Sequence, residues 1–232
     1  MRDYKLIAEY KYLHDTTLPG GVYIVPNREN IRIWHGILFA RRGHYAGGTF
    51  RFRLQFPAEY NDDGAYPVVY FTPPVFSPLV DPATGELALR AAFPQWIAAQ
   101  HGAKHILMLV KRMFYLRDFD PFLPDTLPHQ EALALFAGDP PAFLARTEAS
   151  VRASQEAVYD NPPGSRLRFT EPKPVHEPLR VKILARAAAA EAKPSEATAA
   201  GARVGPADAQ RAGAAATMAG GPASPREVPE AD

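Results

Sequence analysis

Residues Ile31–Leu89 read IRIWHGILFARRGHYAGGTFRFRLQFPAEYNDDGAYPVVYFTPPVFSPLVDPATGELAL, and strand-like runs alternate there with turn residues. In Ile31–Phe39 the odd positions Ile31, Ile33, Ile37 and Phe39 recur with a period of two, which suits a half-buried strand. The return run is cleaner: Phe50, Phe52, Leu54 and Phe56 point one way, and Arg51, Arg53 and Gln55 the other. Gly43 and the Gly47–Gly48 pair give the turn between them a permissive backbone. Val68–Phe71 supplies a further strand, opened by Pro67 and closed by Pro73–Pro74.

Outward from this stretch, Arg2–Asp15 predicts a helix, with Leu6, Ile7, Tyr10 and Leu13 at three-to-four spacing and Asp3 at its start. Leu18-Pro19-Gly20-Gly21 is a turn and Val22–Val25 the first strand, so four consecutive strands form an antiparallel meander. Beyond Leu89, Arg90–Gln100 predicts a short helix interrupted by Pro94, with Trp96 on its apolar side. Lys104–Arg117 predicts a stronger one, since Ile106, Leu107, Val110, Met113 and Phe114 make one apolar stripe. After a loop over Asp118–Pro128, a short helix is expected at His129–Phe136. Asp139-Pro140-Pro141 then opens another, whose buried face is Phe143, Thr147, Val151 and Val158. Helix, four antiparallel strands, then helices is an α+β layout.

At this point specific residues carry a resemblance. Trp34-x-Gly36, Tyr45-x-Gly47-Gly48-x-Phe50, Phe56-Pro57 with Tyr60, and Pro67 before an apolar strand resemble the ubiquitin-conjugating (UBC) core. Active members carry a His-Pro-Asn triplet and then Gly-x-Ile-Cys-Leu with the nucleophilic cysteine. Here the triplet reads Ser77-Pro78-Leu79 and the later motif Gly85-Glu86-Leu87-Ala88-Leu89, with Trp96 eight residues past Ala88, where the fold expects a tryptophan. More narrowly, VYIVPNRENIRIWHGILF, YAGGTFRF, QFPAEYNDDGAYP, PVFSPLVDPATGEL and VKRMFY are similar to the AKT-interacting protein (fused toes) family of catalytically silent UBC variants. That likeness spans Tyr4–Tyr159 and is densest over Gly21–Leu89. It implies a UBC-like fold, a degenerate catalytic site at Ser77, Leu79 and Ala88, and a scaffold role. The implied partners are a Hook-type coiled-coil adaptor and its large partner subunit, in a complex linking endosomal cargo to dynein. Two rivals remain: a non-catalytic partner of an active conjugating enzyme, binding it or ubiquitin, and, ranked last, a conjugating enzyme itself.

The chemistry agrees with that ranking. Ubiquitin transfer needs a thiolate that forms and releases a thioester, and an amide donor that steadies the oxyanion. An alanine methyl and a leucine side chain provide neither. The whole chain of 232 residues contains no cysteine, which also excludes disulfides and zinc-thiolate sites. No cofactor and no metal are expected. Ser77 lacks a Gly-x-Ser-x-Gly elbow and reads as a turn serine. His101 and His105 are four apart but have no third ligand nearby, and Asp118, Asp120 and Asp125 lack the glycine and glutamate of a calcium loop. Trp34, His35 and Trp96 read as packing residues.

A net charge of +1 offers no general attraction to nucleic acid, and Arg41–Arg42 and Lys111–Arg112 read as ordinary solvated clusters. The amino terminus lacks a signal-peptide core, and no apolar run approaches the length of a membrane span. A cytoplasmic chain is expected, associated with endosomes or microtubules only through partners. The expected organisation is a UBC-like core over 1–160, a proline-rich extension over 161–184 and an Ala/Pro/Gly-rich disordered tail over 185–232. Within the extension, Arg166–Phe169 and Leu179–Leu184 have apolar residues able to pack back. The tail holds too little apolar area to offset about 1–2 kcal/mol of backbone entropy per residue, apart from one helical turn at Ala187–Ala190.

Overall fold

Helix α1 (Arg2–Asp15) leads into strands β1 (Val22–Pro26), β2 (Ile33–Phe39), β3 (Thr49–Gln55) and β4 (Val68–Thr72), which form one antiparallel sheet in sequence order. The short α2 (Leu89–Ala92) follows, then α3 (Ala103–Met113), α4 (Gln130–Gly138), α5 (Pro140–Glu156) and α6 (Glu177–Glu191). These elements belong to a computed structural model that describes residues 2–15, 18–116, 119, 122, 124–171 and 173–191. The chain divides into two compact units, Met1–Glu171 and Pro172–Asp232. In the second, α6 takes in both Leu179–Leu184 and the run Ala187–Ala190, and so continues past residue 185, where the sequence suggests no sustained helix. The rest of the expected disordered tail, 192–232, lies outside the described residues, as do Asp118 and Asp120.

The register sets which face of β2 meets the core. Trp34, Gly36 and Leu38 pair with Leu54, Phe52 and Phe50, and so share the core face of β3. Ile33, Ile37 and Phe39 lie on the opposite face with Gln55, Arg51 and Thr49. Because strand side chains alternate, the choice of one set inward sends the other outward. The outer face is itself covered: Ile37 is as buried as the core residues. On the core face, the missing side chain of Gly36 is what the packing requires. A Cβ there would fall 2.1 Å from Cζ of Phe52, whose ring fills the space.

The main core lies between the inner face of the sheet and helices α1 and α3. Leu6 and Leu13 come from α1, and Ile106, Leu107, Val110 and Met113 from α3. Trp34 is fully buried, with its ring edge-on to Phe56 at 4.7 Å and its indole N–H donating to the Ile31 carbonyl at 2.8 Å. The start of α3 is held by Glu9 of α1. Its carboxylate accepts from the Ala103 N–H and from the Tyr60 hydroxyl, the latter at 2.8 Å. A carboxylate suits the positive end of a helix, but burial pushes the Glu9 pKa up against those hydrogen bonds.

The helix expected over Arg90–Gln100 shortens to Leu89–Ala92. Pro94 disfavours helical backbone at the preceding residue, and Phe93 leaves the helix at φ −127°, ψ 81°. Trp96 is still buried, from an irregular segment, and donates to Asn61 Oδ1 at 2.7 Å. The Asn61 amide in turn ties down the Ala98 and His101 carbonyls. In the later helices the expected buried face stands for Phe143, Thr147 and Val151, and α5 gives way to a single tighter turn at Ala157–Tyr159.

Candidate functional site

The segment Val75–Val80 is buried along its whole length and runs into a tight turn at Asp81–Gly85. Asp81 builds that turn. Its Oδ1 accepts from Ala83 N (2.9 Å), Thr84 N (2.7 Å) and Thr84 Oγ1 (2.9 Å), which hold the carboxyl below the usual carboxylate range. Gly85 sits at φ +74°, and an added Cβ would meet the Phe71 carbonyl oxygen at 2.3 Å, so glycine is required there. The returning strand is fastened on both sides. Leu87 donates to the Val69 carbonyl and Ala88 to the Leu79 carbonyl, each at 2.8 Å.

This turn brings together the positions expected from the sequence to be the degenerate ones. Leu79 and Ala88 are joined by that backbone hydrogen bond, and Ala88 immediately precedes α2, partly open to solvent. Leu79 is fully buried and belongs to the main core. Ser77 is also fully buried, and its Oγ accepts from the Leu79 N–H at 3.4 Å. Beside it the Tyr45 hydroxyl donates to the Phe76 carbonyl at 2.8 Å, and burial pushes the Tyr45 pKa up. The His129 imidazole stacks edge-on to Phe76 at 4.9 Å, but its Nδ1 accepts from Ala132 N at the start of α4. Burial lowers the His129 pKa, so at neutral pH it is an uncharged cap. At the two positions that the motif spacing singles out, the chain presents the Ala88 methyl group and the buried Leu79 isobutyl group.

Elsewhere, His101 Nδ1 accepts from Ile97 N at 3.0 Å and its ring lies 6.2 Å from that of His105. Among the described residues, no group of three or more His, Cys, Asp or Glu is arranged to hold a metal ion. None of the helices formed by the described residues is long and apolar enough to cross a membrane. Trp34, His35 and Trp96 are buried. His35 accepts from the Asn27 amide at 3.2 Å, and burial, with Arg53 and Arg51 nearby, lowers its pKa.

Arg51 was legible only as one of an outward-pointing set, yet it is 6% exposed. Its guanidinium donates twice to the Val158 carbonyl (3.0 and 2.6 Å), to the Leu167 carbonyl (3.1 Å) and to Asn161 Oδ1 (3.0 Å), and it stacks on Phe169 at 5.0 Å. Residues 157–169 are thereby fastened over the outer face of the sheet. Partners more than a hundred positions away leave no local signal at Arg51.

A ubiquitin-conjugating enzyme family profile matches residues 5–150. A crossbronx homolog from Culex quinquefasciatus is 36% identical over 70% of this chain and 70% of its own length. The chain belongs to the ubiquitin-conjugating enzyme family. Within it, the relatives are the crossbronx and AKT-interacting proteins of the fused toes group. The Anopheles gambiae crossbronx homolog is 38% identical over 70% of this chain and 71% of its own length. The Danio rerio AKT-interacting protein is 34% identical over 69% of this chain, which spans about half of that longer protein (52%). The crystal structure of a Plasmodium yoelii ubiquitin conjugating enzyme superposes with a TM-score of 0.55 at 17% identity, over 66% of this chain and 94% of that one. That likeness shows the fold alone. For this member of the family, the absence of cysteine means that no catalytic cysteine is present.

Proposed function

We propose that this chain is a non-catalytic UBC variant that works by binding, as an adaptor subunit gripping a Hook-type coiled coil in vesicle transport along microtubules. The observation that carries the non-catalytic half is the Leu79–Ala88 pair. The two are joined by a backbone hydrogen bond, and neither side chain has a lone pair or a polar hydrogen to offer. The Ser77 hydroxyl does not replace them, being fully buried and engaged with the Leu79 N–H. The adaptor half is supported by the family relationship to AKT-interacting proteins. The test is affinity capture from native lysate with the full chain as bait. A Hook-like coiled coil and its large partner subunit are expected in the bound fraction. Recovery of an active conjugating enzyme without the coiled coil contradicts the adaptor reading.

A further inference from the structure

Two basic clusters lie about seventy residues apart in the sequence and read there as unrelated. The fold sets them side by side. Arg41, Arg42 and His44 sit on the turn after β2, and Lys104, Lys111 and Arg112 on α3, all lining one cleft. The two sides are fastened: the Arg41 N–H donates to the Tyr115 hydroxyl at 3.4 Å, and Gly43 backs onto the Phe114 carbonyl. Phe39, Met108 and Leu116 contribute apolar lining, and Met108 is 52% exposed. On α3, Lys104, Met108 and Arg112 recur every four residues. They make an exposed stripe distinct from the buried positions Ile106, Leu107 and Val110.

No acidic residue lines this cleft among the described residues, and α3 contains none. The ion pairs of the described residues leave Arg41, Arg42, Lys111 and Arg112 without a carboxylate. The negative end of α3 accounts for Lys111 and Arg112 in its last turn. It does not account for Lys104 in the first turn, or for the arginines on the facing turn. At about 1290 Å³ the cleft exceeds the ~300–1,000 Å³ that encloses a drug-sized molecule. An exposed methionine among cations suits a flexible, partly apolar ligand. Duplex nucleic acid fits less well, since a net charge of +1 gives no extended basic face and phosphates have no use for the apolar lining.

We infer that the cleft between the β2–β3 turn and α3 is a docking groove for an acidic, amphipathic segment of a partner protein. Its carboxylates meet Arg41, Arg42 and Arg112, and its apolar side chains meet Met108 and Phe39. The inference rests on the binding role proposed above and names the surface that performs it.

The test titrates the full chain with three labelled probes: a synthetic helical peptide of glutamate and leucine, its lysine-for-glutamate twin, and a short mixed-sequence DNA duplex. The acidic peptide should bind, more weakly as salt is added. R41E/R112E should weaken it by about tenfold or more, and M108A by about threefold. R166E/R168E, on a separate surface, should leave it unchanged. Unaltered melting of R41E/R112E confirms folding, and the milder R41Q/R112Q should fall between it and the wild type. Equal binding of the lysine twin, tighter binding of the duplex, or indifference to R41E/R112E overturns the inference. Capture from lysate separates this from the adaptor role. If the wild type and R41E/R112E recover the coiled coil equally, the groove is wrong and the adaptor role stands. If the wild type recovers none, the adaptor role fails and the peptide titration still decides the groove.

Discussion

Arg51 and Arg41 flank the same hairpin and meet opposite fates. Arg51 is buried, and its guanidinium donates to two carbonyls and a side-chain amide of residues 158–167 under the ring of Phe169. Arg41 is exposed, with no carboxylate partner among the described residues. A buried cation whose hydrogen bonds go to its own chain is structural, and one left in water beside apolar surface is available to a partner. The difference lies in what the fold brings within reach, since the residue type is the same.

That contrast breaks first at Arg51. Arg51→Ala should cost about 2–4 kcal/mol in chemical denaturation, because it strips charged hydrogen bonds from partly buried acceptors. Arg51→Lys should recover only part, an ammonium being unable to reproduce the planar fork. A wild-type midpoint for Arg51→Ala would mean that residues 157–169 do not depend on it. Phe169→Ala, which removes the stacking partner and the edge contact to Phe39, should cost about 1–2 kcal/mol.

Acidity sharpens the same comparison through His35, which lies across the ladder from Arg53 and near Arg51. His35 and His129 are both held below the ordinary imidazole value of 6.5 by burial. The unfolded chain therefore takes up those protons first. Their contribution is fully present above pH 6.5 and is lost as pH falls from there toward the folded values. The denaturation midpoint should drop over that window, and less so in His35→Gln. Glu9 works in the opposite sense at lower pH, its raised pKa favouring the folded state once protonated. The smallest effect belongs to Arg41→Ala, which should shift stability by less than about 0.5 kcal/mol while weakening the acidic peptide.

These contrasts mark how much the sequence disclosed. The alternation Phe50, Phe52, Leu54 gave β3 its correct face, because a polar residue at every second position leaves one choice. In β2 the same period marks a strand without choosing its face, because Ile33, Ile37 and Phe39 at the odd positions are apolar and at least partly buried too. Trp34 reads as a packing residue and fills the core, but Gly36 carries no apolar signature although it makes room for Phe52. Motif spacing singles out Ala88 and Leu79, and the turn at Asp81 joins their backbones over a short separation in sequence. The cover over Arg51 and the convergence of Arg41 with Arg112 depend on contacts across most of the chain, which no local pattern encodes.

The central claim is that this chain keeps a conjugating enzyme's fold without its chemistry. It is tested most directly by incubating the wild type and Ala88→Cys with activating enzyme, ATP and ubiquitin, and examining them without reductant. The account predicts no covalent ubiquitin on the wild type and no transfer to lysine by Ala88→Cys, since Leu79 still offers no amide donor. A ubiquitin adduct on the wild-type chain would contradict it.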